Sequence, residues 1–111
     1  MYVPDRGHAV WMNFNPQVGH EQAGHRPALV ISPASYNGRT GLLLCCPITS
    51  QIKGYPFEVK IEGNPLISGA ALADQIKNLD WRVRGVKFVT EVDDSVLEEV
   101  VAKFEALLRS E

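Results

Sequence analysis

Short apolar segments of strand length, separated by glycine, proline and asparagine, fill this chain up to about residue 94; from Ser95 the apolar spacing becomes that of a helix. Residues 8–14 alternate loosely and end at Asn15-Pro16, which predicts a strand and a turn. Residues 28–32 and 42–49 predict two more strands, joined by 36–41, where Asn37-Gly38 is a turn signal because both residue types tolerate positive φ. Lys53-Gly54-Tyr55 reads as a turn, and residues 57–61 alternate with period two as a strand with one wet face, broken at Gly63-Asn64-Pro65. The apolar segment 70–73 leads into 74–80, read as a helical turn, and a last strand is expected near 83–89. Beyond it, Val96, Leu97, Val100, Val101, Phe104, Leu107 and Leu108 share one helix face, and Ser95 with Glu98 forms a capping-box signature behind Asp93 and Asp94. Burying that stripe is worth about 1.5 kcal/mol or more per large side chain, so the helix must pack on the sheet or on a partner. Five to seven short strands, glycine-rich turns and one C-terminal helix predict a mainly β fold, a small and strongly curved barrel.

Composition narrows the class. At 111 residues the chain is expected to form a single domain, 1–111, burying roughly two-thirds of its unfolded surface. The longest apolar run falls far short of the ~18 residues that span a bilayer, and the N-terminus lacks a charged-then-apolar leader, so a soluble cytoplasmic protein with no membrane association is expected. Cys45 and Cys46 are adjacent, point to opposite faces of a strand and read as small apolar fillers. The net charge of −2 argues against a generic, charge-driven nucleic-acid binder. Its distribution says more: residues 91–111 carry −5, leaving +3 for residues 1–90. That basic excess is scattered, so an anionic partner would be held locally, through few phosphates.

Candidate chemistry concentrates in residues 19–27, Gly-His-Glu-Gln-Ala-Gly-His-Arg-Pro, a polar loop anchored on the strand that follows. The three histidines are not at helical metal-ligand spacing, and neither a phosphate-cradling glycine motif nor a nucleophile elbow is present. What remains is that loop, the segment 47–53 at one strand exit and Asp74 at another. A guanidinium stays protonated and offers two parallel donors, so Arg26 is suited to stabilising charge on a phosphorane, with a threonine hydroxyl as a second donor. His20, His25, Glu21 or Asp74 would then move protons. Each also has a structural reading: Arg26 pairing with Glu21, Thr49-Ser50 capping a turn, Asp74 capping a helical turn, and Trp11 filling the core rather than anchoring a partner.

Several blocks together resemble the MazF/PemK family of toxin endoribonucleases from bacterial toxin-antitoxin pairs. They are Val10-Trp11, Gly19-His20-Glu21-Gln22-Ala23-Gly24-His25-Arg26-Pro27, Ser32-Pro33, Tyr36-Asn37, Pro47-Ile48-Thr49-Ser50, Lys53-Gly54-Tyr55-Pro56-Phe57-Glu58, and Ala73-Asp74-Gln75 followed by Arg84-Gly85. The resemblance implies an SH3-like barrel of the kind shared with CcdB, a homodimer, and cleavage of single-stranded RNA without metal or other cofactor. In that family the 2′-hydroxyl attacks the adjacent phosphate, leaving 2′,3′-cyclic phosphate and 5′-hydroxyl ends and shutting down translation. The family's catalytic arginine falls on Arg26 and its threonine on Thr49. The histidine and aspartate given acid-base roles in the Kid branch match His20 and Asp74, but the arginine of that set is replaced by Leu72. Glu21, Gln22, His25, Lys53 and Gln75 are implied substrate contacts, and Trp11 a contact for a MazE-like antitoxin with an acidic segment.

Two other classes compete. A CcdB-like gyrase poison shares the fold, but its inhibitory tryptophan near the C-terminus has no counterpart in Leu107-Leu108-Arg109-Ser110-Glu111. A non-catalytic SH3-like binding module would impose no relation among Arg26, Thr49 and Asp74.

Overall fold

The computed structural model describes residues 1–15 and 24–111. Its hub is the strand β3 (Leu42–Thr49), the longest in the chain and apolar on both faces. On one side β3 pairs antiparallel with β2 (His25–Val30), which pairs with β1 (His8–Asn13). Along the other, its first half pairs with β6 (Lys77–Asp80), and Ile48 and Thr49 pair with β5 (Gly69–Leu72). The strand β4 (Glu58–Ile61) flanks β5, and β7 (Val86–Glu91) flanks β1. The sheet has seven strands in the path β4-β5-β3-β2-β1-β7, with β6 beside β3, and its ends do not pair with each other. This is the mainly β, helix-terminated fold expected from the sequence, with the barrel left open.

Both faces of β1, β2 and β3 are buried, which is why their segments read as dense apolar runs rather than clean alternation. One core gathers Ala9, Leu29, Cys46, Ile48, Val59, Ala71 and Val100; the other gathers Val10, Met12, Ala28, Val30, Cys45 and Trp81. Cys45 and Cys46 thus face opposite cores as free thiols, and burial pushes Cys45 up to about 12 and raises Cys46 as well, which keeps both protonated and unreactive. The C-terminal helix α3 (Asp94–Arg109) covers the first core through Val96 and Val100.

Four local expectations are corrected. The link between β2 and β3 is a helix, α1 (Ala34–Thr40), with Asn37-Gly38 inside it and Gly41 as its left-handed cap at φ +76. A buried hydrogen-bond network around the Asn37 side chain stabilises the helix and overrides the local turn preference of the pair. The segment 77–80 is strand β6, paired with β3, and the helical turn falls later at α2 (Trp81–Arg84), where Asp80 accepts from the Arg82 and Val83 amides. The capping box of α3 does not form: Ser95 Oγ donates to Asp93 Oδ2 at 2.6 Å, so it is not spent on a backbone amide. The apolar stripe of α3 is also only partly covered: Val96 and Val100 are buried, while Val101, Leu107 and Leu108 are exposed.

A candidate active site at the end of the central strand

Thr49 ends β3, where it pairs with Ala70 of β5. On the other side the last register pair is Ala28 with Pro47, so Arg26, two residues before Ala28, and Thr49, two residues after Pro47, lie toward the same end of the antiparallel β2–β3 pair. The two side chains line one open cleft of about 580 Å³, with Ser50, Gln51, Lys53, Tyr55, Glu58, Leu72 and Gln75. Thr49 is 7% exposed, and its Oγ1 accepts the Gln51 amide at 3.1 Å, which orients the hydroxyl and leaves its proton to donate. Two cations, Arg26 and Lys53, with neutral donors from Ser50, Gln51 and Gln75, suit an anionic ligand.

Gly69 locks this strand end. Its φ is +116, and a Cβ there would lie 2.9 Å from the Thr49 carbonyl carbon and closer still to its oxygen. Gly69→Ala is expected to destabilise the protein by about 2 kcal/mol or more, through backbone strain and displacement of Thr49. Thermal unfolding checks this, and an unchanged Tm would mean that the strand end yields without cost.

The β3–β4 loop closes one side of the cleft. The Tyr55 hydroxyl makes a short hydrogen bond to Asp74 Oδ2, and this bond, more than the loop's slight burial, raises the Tyr55 phenol above its ordinary pKa. Asp74 Oδ1 is buried and, among the described residues, makes no hydrogen bond, so it retains a lone pair for an incoming proton or donor.

Of the residues singled out from sequence, Arg26, Thr49, Lys53 and Gln75 come together on the cleft. Asp74 bonds Tyr55 and is not among the lining residues, and it caps no helix: it sits in a turn that leads into β6. His25 opens β2, is exposed, pairs with Asn13 and is not among the lining residues, although it directly precedes Arg26. His20, Glu21 and Gln22 lie outside the described residues. Trp11 is not core: it is 43% exposed on β1, between Pro27 and Lys87, whereas Trp81 is 6% exposed with its Nε1 donating to the Asn37 carbonyl at 2.9 Å. Tyr55 and Glu58 are the lining residues that residue-type reasoning passed over; the available signal was Glu58 standing three to five positions after three consecutive loop amides.

An open, SH3-like antiparallel sheet with Arg26 and Thr49 on one cleft at the end of its central strand defines a small β protein with a cleft whose cations and neutral donors suit an anionic ligand. The same fold is found in known proteins. A family described as the PemK-like, MazF-like toxin of type II toxin-antitoxin systems matches residues 5–108, and the chain belongs to this family. The endoribonuclease toxin MazF of Escherichia coli K12 is 50% identical over 107 residues, 96% of each chain. The crystal structure of MazF from Deinococcus radiodurans superposes with a TM-score of 0.95 at 55% identity, covering 99% of this chain and 100% of that one. A MazE–MazF crystal structure from the same organism matches with a TM-score of 0.89 at 54% identity over the whole of both chains.

Proposed function

We propose that the protein is the toxin of a type II toxin-antitoxin system, an endoribonuclease that cuts single-stranded RNA without a metal ion and so arrests translation. The observation that carries this reading is the meeting of Arg26 and Thr49 on one cleft, supported by 50% identity to an endoribonuclease toxin. The ribose 2′-hydroxyl attacks the neighbouring phosphorus, the bond to the 5′-oxygen breaks, and the products end in 2′,3′-cyclic phosphate and 5′-hydroxyl. The protein needs no nucleophile of its own for this. Arg26 takes up charge developing on the phosphorane oxygens, Thr49 donates to the same phosphate, and His20 and Asp74 carry the proton transfers. Lys53 and Gln75 hold flanking parts of the strand, with Glu21, Gln22 and His25 as further substrate contacts.

The protein acts as a homodimer in the cytoplasm; no described helix is long and apolar enough to cross a membrane. It is restrained by a MazE-like antitoxin, a partner supported by the MazE–MazF complexes of its relative. The exposed Trp11 offers an anchor for the antitoxin's acidic segment.

Incubating purified protein with single-stranded RNA in excess chelator tests the reading. Cleavage should persist and leave cyclic phosphate ends, and a single 2′-deoxynucleotide at the cut site should abolish it there. Intact RNA, or cutting only on addition of metal, would contradict the proposal; cutting at the deoxynucleotide would rule out internal attack.

A further inference from the structure

Glu58 has no place in the mechanism above, yet its carboxylate is the most heavily engaged in the cleft. Its Oε2 accepts the Lys53 amide at 3.0 Å, and its Oε1 accepts the Gly54 and Tyr55 amides at 3.0 and 3.2 Å. Gly54, at φ +80, bends the chain so that three successive N–H groups converge on one anion. The anchor itself is fixed: Glu58 begins β4, pairs with Leu72 of β5, and donates its own N–H to the Tyr55 carbonyl at 3.0 Å. Further along, the Tyr55 hydroxyl reaches Asp74 and Lys103 Nζ of α3 donates to the Pro56 carbonyl at 2.7 Å. Residues 50–56 are otherwise exposed and outside any strand or helix, so without these ties the loop would sample many shapes.

We propose that Glu58 is a positioning residue: by holding the Lys53, Gly54 and Tyr55 amides it sets the β3–β4 loop so that Lys53 is presented to the RNA backbone in the Arg26–Thr49 cleft. The proposal rests on reading that cleft as the RNA site. A role as general base is disfavoured by the same geometry. Both oxygens already accept hydrogen bonds, and the Lys53 amide, then those of Tyr55 and Gly54, hold the carboxyl below its ordinary pKa, which weakens it as a proton acceptor.

Glu58→Ala removes all three contacts, whereas Glu58→Gln keeps one oxygen for Gly54 and Tyr55 and turns an NH₂ toward Lys53. For single-stranded RNA, Glu58→Ala should raise KM by about tenfold with kcat within about twofold, and Glu58→Gln should fall between it and wild type. The slope of log KM against log salt should shrink by about 0.7, as it should for Lys53→Ala, because one phosphate contact is lost. In the double variant the slope should shrink no further. Amide exchange at Gly54 and Tyr55, read without RNA, should accelerate in Glu58→Ala and stay protected in Glu58→Gln. Wild-type KM and salt slope in folded Glu58→Ala, a loss confined to kcat, or unchanged amide exchange would each overturn the proposal. A wild-type protein that leaves RNA intact would instead sink the ribonuclease reading, while the exchange measurement still judges the clasp.

Discussion

Arg26→Ala is expected to slow RNA cleavage by about two orders of magnitude or more, mostly in kcat, with the fold intact. The reason lies in timing. Negative charge accumulates on the non-bridging oxygens only as the 2′-oxygen bonds to phosphorus, so a guanidinium placed there gains more in the transition state than in the bound substrate. Arg26 is suited to this because β2 is held on both sides, pairing Met12 with Arg26 on β1 and Ala28 with Pro47 on β3. Such anchoring costs no reorganisation during reaction. Arg26→Lys should recover only part of the rate, since an ammonium keeps the charge but not the planar fork. Single-turnover kinetics on a defined oligonucleotide, with circular dichroism to verify folding, make the measurement. A folded alanine variant cutting at the wild-type rate would remove Arg26 from the chemistry.

The largest effect on stability is expected far from the cleft. Asn37→Ala should destabilise the protein by about 3 kcal/mol or more and lower Tm by roughly 10 °C or more, because it strands several buried groups at once. Asn37 is 0% exposed. Its Nδ2 donates to the Pro4 carbonyl at 2.8 Å and the Ser32 carbonyl at 2.9 Å, and its Oδ1 accepts from Ser32 Oγ at 2.6 Å. Ser32 Oγ in turn accepts the Leu44 amide at 2.8 Å, so the network ties the N-terminal segment, the end of β2, α1 and β3. The Asn37 carbonyl also receives Trp81 Nε1, but a backbone acceptor survives the substitution. Asn37→Asp is a second probe: it keeps the acceptor and loses the two donated bonds. A loss below about 1 kcal/mol in chemical denaturation of Asn37→Ala would show that water replaces the amide.

These two residues mark how unevenly the sequence could be read. Arg26 was legible because its chemistry is local: a guanidinium between a glycine loop and a buried strand is suited to anions wherever the strand goes, and the blocks around it resemble a known family. Thr49 is harder to single out: residue types point to the segment 47–53 and to a threonine donor, but a threonine beside a serine is also ordinary turn chemistry, and it is the family likeness that assigns this residue a role. Asn37 was misread as a turn residue, because the partners that make it helical, Pro4 and Ser32, are donated by other segments. The helical turn expected over 74–80 fails for the same kind of reason, the strand form of residues 77–80 being set by the edge of β3 rather than by their own pattern. Trp11 reads as core from its residue type, yet it is exposed while Ala9, Val10 and Met12 of the same strand are fully buried, a difference its residue type does not encode.

The sequence by itself determined the short strands, the terminal helix, the inert neighbouring cysteines and the residue types able to hold a phosphate, because these depend on periodicity, steric preference and intrinsic charge. Only the tertiary structure decided that Arg26 and Thr49 are neighbours, that Tyr55 binds Asp74 and that Glu58 gathers three loop amides. The first two are contacts between segments far apart in the chain, fixed by sheet register and by the two-sided burial of the central strand, and no local pattern encodes them; the third is local in spacing, but it needs the loop bent at Gly54 and Glu58 anchored on β5.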